Sequence, residues 1–375
     1  MNTNPSAPVK GLRVIVAGGG TGGHIFPALA IAHAIKEMAP DTEFLFVGAR
    51  GKMEMEIVPQ AGYKIEGIDI AGFDRSSLIK NIGLPIKLLK SFFQVRSILN
   101  RFRPHAVIGV GGYSSFPVLR LAQMRGIDTF IHESNSFAGK SNILLGKKAT
   151  RVFVAASGMG KFFPANKIQI TGNPVRTAIV NSTVTREEGI KFFELDPSKK
   201  TVLVTGGSLG ARGINEAIDA GLEQLLSNDI QLIWQTGKPY AATAAKRAEG
   251  KKGIWTNDFI TRMEYAFAAA DVVVSRSGAM AIAELCVVQK PVILVPFPFA
   301  AEDHQTANAK YLETKGAGKM ITDAAAKTAL VPAVIELLGS TVTQEQYKEQ
   351  IGKLAVRDAD KQVAKAILDL INKKK

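Results

Sequence analysis

Residues 13–24 read Arg13-Val-Ile-Val-Ala-Gly-Gly-Gly-Thr-Gly-Gly-His24. Arg13–Ala17 is a short apolar strand, and five glycines then fall within the six positions Gly18 to Gly23. A helix is predicted from about Pro27 to Glu37. A buried strand running into a glycine turn and out into a helix is the opening unit of a parallel α/β sheet. Such a turn needs glycine because the backbone must bend tightly and let an anion come close. The amides at the helix start, with the helix dipole, then hold a phosphate or carboxylate.

The unit recurs along the chain. Glu43–Val47 is the next predicted strand, and His105–Val110 leads into Gly111, Gly112 and a helix from about Phe116 to Arg125. Strands at Thr129–His132 and Arg151–Ala155 complete a first sheet. The pattern restarts at Thr201–Thr205, with the loop Gly206-Gly-Ser-Leu-Gly210 and a helix Ile214–Leu226. Asp271–Ser275 is a strand, Arg276-Ser-Gly278 a loop, Ala279–Val287 a helix and Val292–Val295 the strand after it. Two similar α/β domains in tandem are therefore expected, each a parallel sheet with helices on both faces. The boundary falls after Gly172-Asn-Pro174, where turn chemistry meets a polar stretch running to Lys200. The last thirty residues are predicted to hold an amphipathic helix with Val363, Ile367, Leu370 and Ile371 on one face.

Composition narrows the class. Of 375 residues, 46% are apolar and 21% charged, which excludes wholesale disorder. The single cysteine, Cys286, gives neither an internal disulfide nor a thiol metal cluster, and suits a reducing cytoplasm. The start, Met1 to Lys10, is polar, and its first apolar run (Val14–Ala17) is too short for a signal peptide. The longest apolar stretch, Pro291–Ala301, is broken by three prolines and falls short of the ~18 residues that span a bilayer. A soluble chain is expected.

Charge is unevenly spread. The net +14 is +12 over residues 1–176, with 22 basic and 10 acidic side chains, and +2 over the rest. A basic half is compatible with nucleic acid, an anionic membrane surface or a phosphorylated substrate, or with a solubilising surface alone.

Gly18–Gly23 satisfies Gly-x-Gly-x-x-Gly, and alone suggests a nicotinamide or flavin dinucleotide. That reading needs an acid on the ribose about 20 residues on. The second strand ends Val47-Gly-Ala-Arg50 with no Asp or Glu there; an NADP site using Arg50 is the surviving variant. Two facing domains with glycine loops at strand ends would instead make a cleft for two phosphorylated molecules. Group transfer suits that arrangement better than hydride transfer.

Seven motifs carry a resemblance: Ala17-Gly-Gly-Gly-Thr-Gly-Gly-His-Ile-Phe-Pro27, Gly109-Val-Gly-Gly-Tyr113, His132-Glu-Ser-Asn135, Gly172-Asn-Pro-Val-Arg176, Gly206-Gly-Ser-Leu-Gly-Ala211, Arg276-Ser-Gly-Ala279 and Asp303-His-Gln305. In that order, over about residues 13–310, they resemble the MurG family. These bacterial enzymes add N-acetylglucosamine to the lipid-linked muramyl-pentapeptide of peptidoglycan. The resemblance implies the GT-B architecture, with two Rossmann-like domains facing across a cleft. Residues 1–176 would form the acceptor-binding, membrane-facing domain and 177–355 the UDP-sugar domain. Residues 356–375 would be a C-terminal helix returning to the first domain.

It also implies roles for particular residues. Ser208 would donate to a phosphate, or serve as an ordinary N-cap; Ile260 would face uracil through its backbone. Ala279 and Met280 would line the next loop. Glu284 would accept both ribose hydroxyls, or be a solvated helix acid. Gln305, with His304, would reach the sugar or diphosphate. From the first domain Thr21, Gly22, Gly23, Asn135 and Arg176 would close over UDP-N-acetylglucosamine, Arg176 by bonding two oxygens at once. Gly19, Gly20, Gly111, Gly112 and Tyr113 would receive the acceptor pyrophosphate. Two departures stand out: Ser134 where the family commonly has Gln, and Ala281 where a Thr is frequent.

The chemistry needs a base for the attacking hydroxyl and stabilisation of the departing diphosphate. His24 is the leading base candidate, since imidazole titrates closest to neutrality; orienting the loop or bonding a phosphate is its other reading. Glu133 is the second candidate. The predicted reaction is one displacement with inversion, taking lipid I to lipid II with no cofactor and no essential metal. The sole Asp-x-Asp, Asp358-Ala-Asp360, reads as helix-start acid, and no His-x3-His spacing exists.

From Arg75 to Arg103 there are seven basic residues and no acid. Pro85, Leu88, Leu89, Phe92, Val95 and Leu99 recur there at helical spacing. This stripe either packs on the first sheet or meets the acyl boundary of an anionic membrane, with Lys87, Lys90, Phe92, Phe93 and Arg96 as contacts. The expected location is peripheral, on the cytoplasmic face of the bacterial inner membrane. The alternatives are a GT-B nucleotide-sugar epimerase or hydrolase, and a basic nucleic-acid-binding protein. The last lacks a recognisable module, so no nucleic-acid partner is expected.

Overall fold

A computed structural model describes residues 11–72, 83–300 and 303–373. The chain divides into two compact units. One holds the described residues up to Arg176 together with those from Asp358 onward; the other runs Thr177–Arg357.

The first unit is built on seven strands: β1 (Arg13–Ala17), β2 (Glu43–Ala49), β3 (Ile65–Ile68), β4 (Ala106–Gly109), β5 (Asp128–Glu133), β6 (Arg151–Val154) and β7 (Ile168–Ile170). All are parallel, in the order β3-β2-β1-β4-β5-β6-β7. The order reverses between β1 and β4, so their loops diverge to opposite faces and leave a crevice at the strand ends. Alternation along β1 sorts its side chains: Val14 and Val16 join one core cluster, Ile15 and Ala17 the other. The first cluster also takes Val363, Ile367 and Ile371 from the terminal helix Ala359–Asn372, which packs on helix Gly22–Met38. Leu370 is only partly buried there.

The second unit has β8 (Lys200–Thr205), β9 (Ile230–Gln235), β10 (Ile254–Asn257), β11 (Val272–Ser275), β12 (Val292–Leu294) and β13 (Lys319–Met320). Its parallel order is β10-β9-β8-β11-β12-β13, reversing between β8 and β11. Both units therefore share the doubly wound plan.

Several predicted boundaries change. Helix Gly22–Met38 starts five residues before the predicted Pro27. The Thr21 carbonyl accepts from both His24 N (3.0 Å) and Ile25 N (3.2 Å), and this draws two poor helix formers, Gly22 and Gly23, into the first turn. The predicted helix Ile214–Leu226 is two, Arg212–Ala220 and Leu222–Ser227, divided at Gly221. A Cβ on Gly221 would lie 2.6 Å from Val331 of helix Ala326–Gly339, so the joint is where these helices meet. Five strands, β3, β7, β9, β10 and β13, are absent from the sequence reading. Four are short and lie toward the sheet margins; β9 is interior, and its glutamines Gln231 and Gln235 broke the apolar run that marks a buried strand. Among the described residues no single helix is long and apolar enough to cross a membrane.

Candidate active site

The parallel strands deliver their loops to the carboxyl edge of each sheet. In the first unit, the loop after β1 packs against the loop after β4. The His24 imidazole lies against Gly111, where a Cβ would come 2.8 Å from Cδ2 and 2.9 Å from Nε2. Gly111 has φ +95°, so it supplies both the turn and the space. His24 sits in the first turn of helix Gly22–Met38 rather than at the end of a loop, as the sequence had suggested. Its Nδ1 is 3.1 Å from the Gly19 carbonyl oxygen and 3.3 Å from Thr21 Oγ1. A carbonyl only accepts, which assigns the proton to Nδ1 and the lone pair to Nε2. Burial lowers the His24 pKa below the ordinary imidazole value, opposed in part by the Glu133 charge, the Gly19 bond and the Glu54 charge.

Glu133 ends β5 and is 4% exposed. Its carboxylate accepts four hydrogen bonds: Asn135 N (3.0 Å) and Nδ2 (3.2 Å), Gly139 N (3.0 Å) and Asn142 Nδ2 (2.9 Å). Both oxygens are thus occupied in folding the 134–139 loop, an arrangement that suits a loop-positioning carboxylate better than a base. Asn135 is held by that same carboxylate. Neighbouring His132 is fully buried, its Nε2 3.2 Å from the Gly172 carbonyl oxygen, and burial lowers its pKa. Ser134, at the position of the family's Gln, lies 3.4 Å from His132 Nδ1 through its hydroxyl. Arg176 stacks its guanidinium 4.3 Å from the Phe26 ring centre. The exposed Tyr113 ring lies over Gly72, where a Cβ would overlap it.

The sequence reading found no acid at the end of β2, yet a carboxylate is there. Glu54, 1% exposed, accepts from Gly20 N at 2.8 Å and from Ala49 N at 2.9 Å. Gly20 N–H, expected to face a pyrophosphate, is therefore already used. Arg50, the NADP candidate, instead donates to the Gly67 carbonyl (3.0 Å) and pairs with Asp69 (3.1 Å). Glu54 lies in the first turn of a short helix, Glu54–Gln60, and no periodicity singles it out.

In the second unit, Gln235 at the end of β9 ties two loops together. Its Nε2 donates to the Gly207 carbonyl (2.9 Å), and its Oε1 accepts from Ile260 N (3.1 Å). Ile260 is buried with its N–H engaged by Gln235. Gln235 was also missed from sequence. Ser208 lies half-buried in the loop and is not an N-cap: the cap position of helix Arg212–Ala220 is Ala211. Ala279 and Met280 open helix Ala279–Val288 beyond Gly278. Glu284 is buried, which removes its reading as a solvated helix acid. Gln305 lies in the first turn of helix His304–Thr314; its Oε1 accepts from Phe297 N (3.0 Å), and its carbonyl accepts from Ser277 Oγ (2.8 Å).

The structure thus gathers Gly19–His24, Gly111–Tyr113, Glu133, Asn135 and Arg176 around the strand ends of the first unit. Ser208, Ile260, Ala279, Met280, Glu284 and Gln305 gather around those of the second. Among the described residues no group of three or more His, Cys, Asp or Glu is arranged to hold a metal ion. Asp358 takes the cap position of the terminal helix, and Asp360, buried in its first turn, accepts from Lys361 N.

The candidate membrane stripe divides. Helix Leu84–Phe102 turns Val95 and Leu99 into the core, while Leu88 and Phe92 are half-buried, with Phe92 edge-on to Phe116. Phe92 thus packs on Phe116 with part of its ring still accessible. Ile86, Leu89 and Phe93 instead form a separate row, 73%, 60% and 64% exposed. Lys90 pairs with Asp69 at 2.8 Å, while Lys87 and Arg96 are exposed beside the row. The first part of the basic stretch, residues 75–82, lies outside the described residues.

Comparison with known proteins accords with this geometry. The profile of the glycosyltransferase family 28 N-terminal domain matches residues 14–154, and that of the C-terminal domain matches 201–363. The UDP-N-acetylglucosamine--N-acetylmuramyl-(pentapeptide) pyrophosphoryl-undecaprenol N-acetylglucosamine transferase of Phocaeicola vulgatus is 50% identical over 367 residues, 97% of this chain and 98% of that protein. The crystal structure of Acinetobacter baumannii MurG superposes with a TM-score of 0.69 at 28% identity, covering 96% of this chain and 99% of its own. A UDP-N-acetylglucosamine 2-epimerase reaches a TM-score of 0.70 at 14% identity, covering 96% of both chains, a likeness of fold alone. The chain belongs to glycosyltransferase family 28 and, within it, to the MurG family of N-acetylglucosamine transferases.

Proposed function

We propose that the protein moves N-acetylglucosamine from UDP-N-acetylglucosamine to the 4-hydroxyl of the N-acetylmuramyl group of undecaprenyl-pyrophosphoryl-MurNAc-pentapeptide, making lipid II from lipid I. The observation that carries this reading is half identity, over nearly the whole of both chains, with a transferase named for that reaction. Residues 1–176 receive the lipid-linked acceptor and residues 177–357 the nucleotide sugar.

His24 Nε2 takes the proton as the hydroxyl oxygen bonds the anomeric carbon. On the opposite side the bond to the diphosphate breaks, and UDP leaves with its electron pair. A single displacement converts the α-linked donor into a β-linked product. Helix N-termini and Arg176 meet the leaving charge, with no metal required. The Ile260 carbonyl faces uracil, Glu284 the ribose, and Ser208 and Gln305 the diphosphate and sugar. Glu133 positions Asn135 instead of taking a proton.

The protein works peripherally on the cytoplasmic face of the inner membrane. Ile86, Leu89 and Phe93 enter the acyl boundary, and Lys87 and Arg96 meet anionic headgroups. Labelled UDP-N-acetylglucosamine supplied with and without the lipid acceptor tests the reading. Label in the lipid supports it; epimerised or hydrolysed sugar without transfer would favour the nucleotide-sugar epimerase or hydrolase.

A further inference from the structure

His24 and Glu54 bond to the two ends of one peptide group. The Gly19 carbonyl lies 3.1 Å from His24 Nδ1, and the N–H of the same Gly19–Gly20 peptide donates to Glu54 Oε2 at 2.8 Å. The second carboxylate oxygen is fixed by Ala49 N at 2.9 Å. Glu54 is almost wholly buried, and it fills a cradle cut for it. A Cβ on Gly19 would lie 2.2 Å from its Oε1, and one on Gly48 would lie 2.5 Å from its Cγ. Gly19, which the sequence offers as a pyrophosphate-loop residue, and Gly48 within β2 are therefore both required by a carboxylate.

We propose that Glu54 is a positioning residue for His24, acting through the Gly19–Gly20 peptide as a carboxylate–peptide–imidazole relay. A buried negative charge on the N–H side polarises the peptide and makes the Gly19 oxygen a stronger acceptor. That acceptor holds the proton on Nδ1, leaves Nε2 unprotonated and stabilises the imidazolium that forms when Nε2 takes a proton. A carboxylate bonded directly to Nδ1 does this in hydrolase triads; here one peptide stands between. Other groups facing the ring are the Glu133 carboxylate, the Thr21 hydroxyl and the uncharged Gly111 turn. Glu133 adds charge without bonding the Gly19–Gly20 peptide, so only Glu54 is in the relay.

The inference rests on His24 being the base, and the test separates the two claims. ¹⁵N NMR of the imidazole in the full-length protein reads the tautomer directly. The wild type is expected to carry its proton on Nδ1; a proton on Nε2 would overturn the relay without any variant. Glu54→Gln places an amide against two N–H donors. It should lower kcat by about tenfold or more, move the acid limb of kcat/KM to lower pH by about half a unit or more, and leave UDP affinity unchanged. An unaltered limb and tautomer would reduce Glu54 to a structural brace, whatever the loss of rate. Near-normal turnover in His24→Ala would remove the base assignment, while the tautomer would still decide whether the relay exists.

Discussion

The imidazole of His24 occupies the space that a side chain on Gly111 would need. A methyl there would stand 2.8 Å from Cδ2, and the residue would be held at φ +95°. Gly111→Ala should therefore displace the ring, and misplacement by about 1 Å can cost roughly 10²-fold in rate. Steady-state kcat should fall by that order, with a much smaller change in the Kd for UDP, whose proposed contacts lie mainly in the second unit. Wild-type turnover in Gly111→Ala would mean that the ring position does not matter.

Glu133 gives a prediction that separates positioning from proton transfer. Its four N–H donors make Glu133→Gln lose acceptor capacity in a buried place, at about 2–4 kcal/mol. The variant should show a lower denaturation midpoint for the first unit, with turnover partly rescued by cooling. Full stability with abolished turnover would restore Glu133 as the base.

The histidines set the acid side of the pH dependence. Burial lowers the pKa of His24, and the base must be neutral to act. The acid limb of kcat/KM should thus lie below about 6.5, the ordinary value. Stability follows the same sign. His24 and His132 both have folded-state pKa values depressed below the unfolded value, so the unfolded chain binds protons first. Their contribution is intact above pH ~6.5 and is lost as pH falls from there through the lower folded values. Denaturant titrations between pH 7.5 and 5 check this, and a stability that rises with acid over that window would contradict it.

The fold was largely legible because β1, β4, β8 and β11 each carry a short apolar run (Val14–Ala17, Ala106–Ile108, Val202–Val204 and Val272–Val274) leading into a glycine-containing loop. Those four strands flank the two reversal points, so reading them located both crevices. The site was legible in outline only. Glu54 and Gln235 escaped because each is a polar residue that folding buries, and a linear pattern does not reveal which backbone N–H it will meet. The apolar arc of helix Leu84–Phe102 was legible from its amphipathicity, while packing against Phe116 decides which edge of it is covered.

Gln235 supplies a donor-side prediction. Replacement by Leu would leave the Ile260 N–H and the Gly207 carbonyl without their partner, loosening two loops of the second unit. The Kd for UDP should rise about tenfold or more, corresponding to roughly 1–3 kcal/mol. Calorimetric titration with UDP reads it; an unchanged Kd would detach these loops from nucleotide binding.

For the membrane, Ile86→Ser, Leu89→Ser and Phe93→Ser combined should nearly abolish binding to anionic vesicles, since each apolar side chain is worth about 1.5–3 kcal/mol on burial. Neutralising Lys87 and Arg96 should weaken it by about 1 kcal/mol each. Neutralising Lys90, already paired with Asp69, should matter less. Co-sedimentation with vesicles ranks the three, and equal effects from Lys90 and Lys87 would contradict the ordering.

The central claim, single-displacement transfer to a lipid-linked acceptor, is tested most directly by the linkage in the product. UDP-[¹³C]N-acetylglucosamine and undecaprenyl-pyrophosphoryl-MurNAc-pentapeptide are incubated with the protein and a chelator, and the lipid fraction is read by NMR. The account predicts labelled disaccharide on the lipid with a β-glycosidic bond. An α-bond, or label found only in free or epimerised sugar, would contradict it.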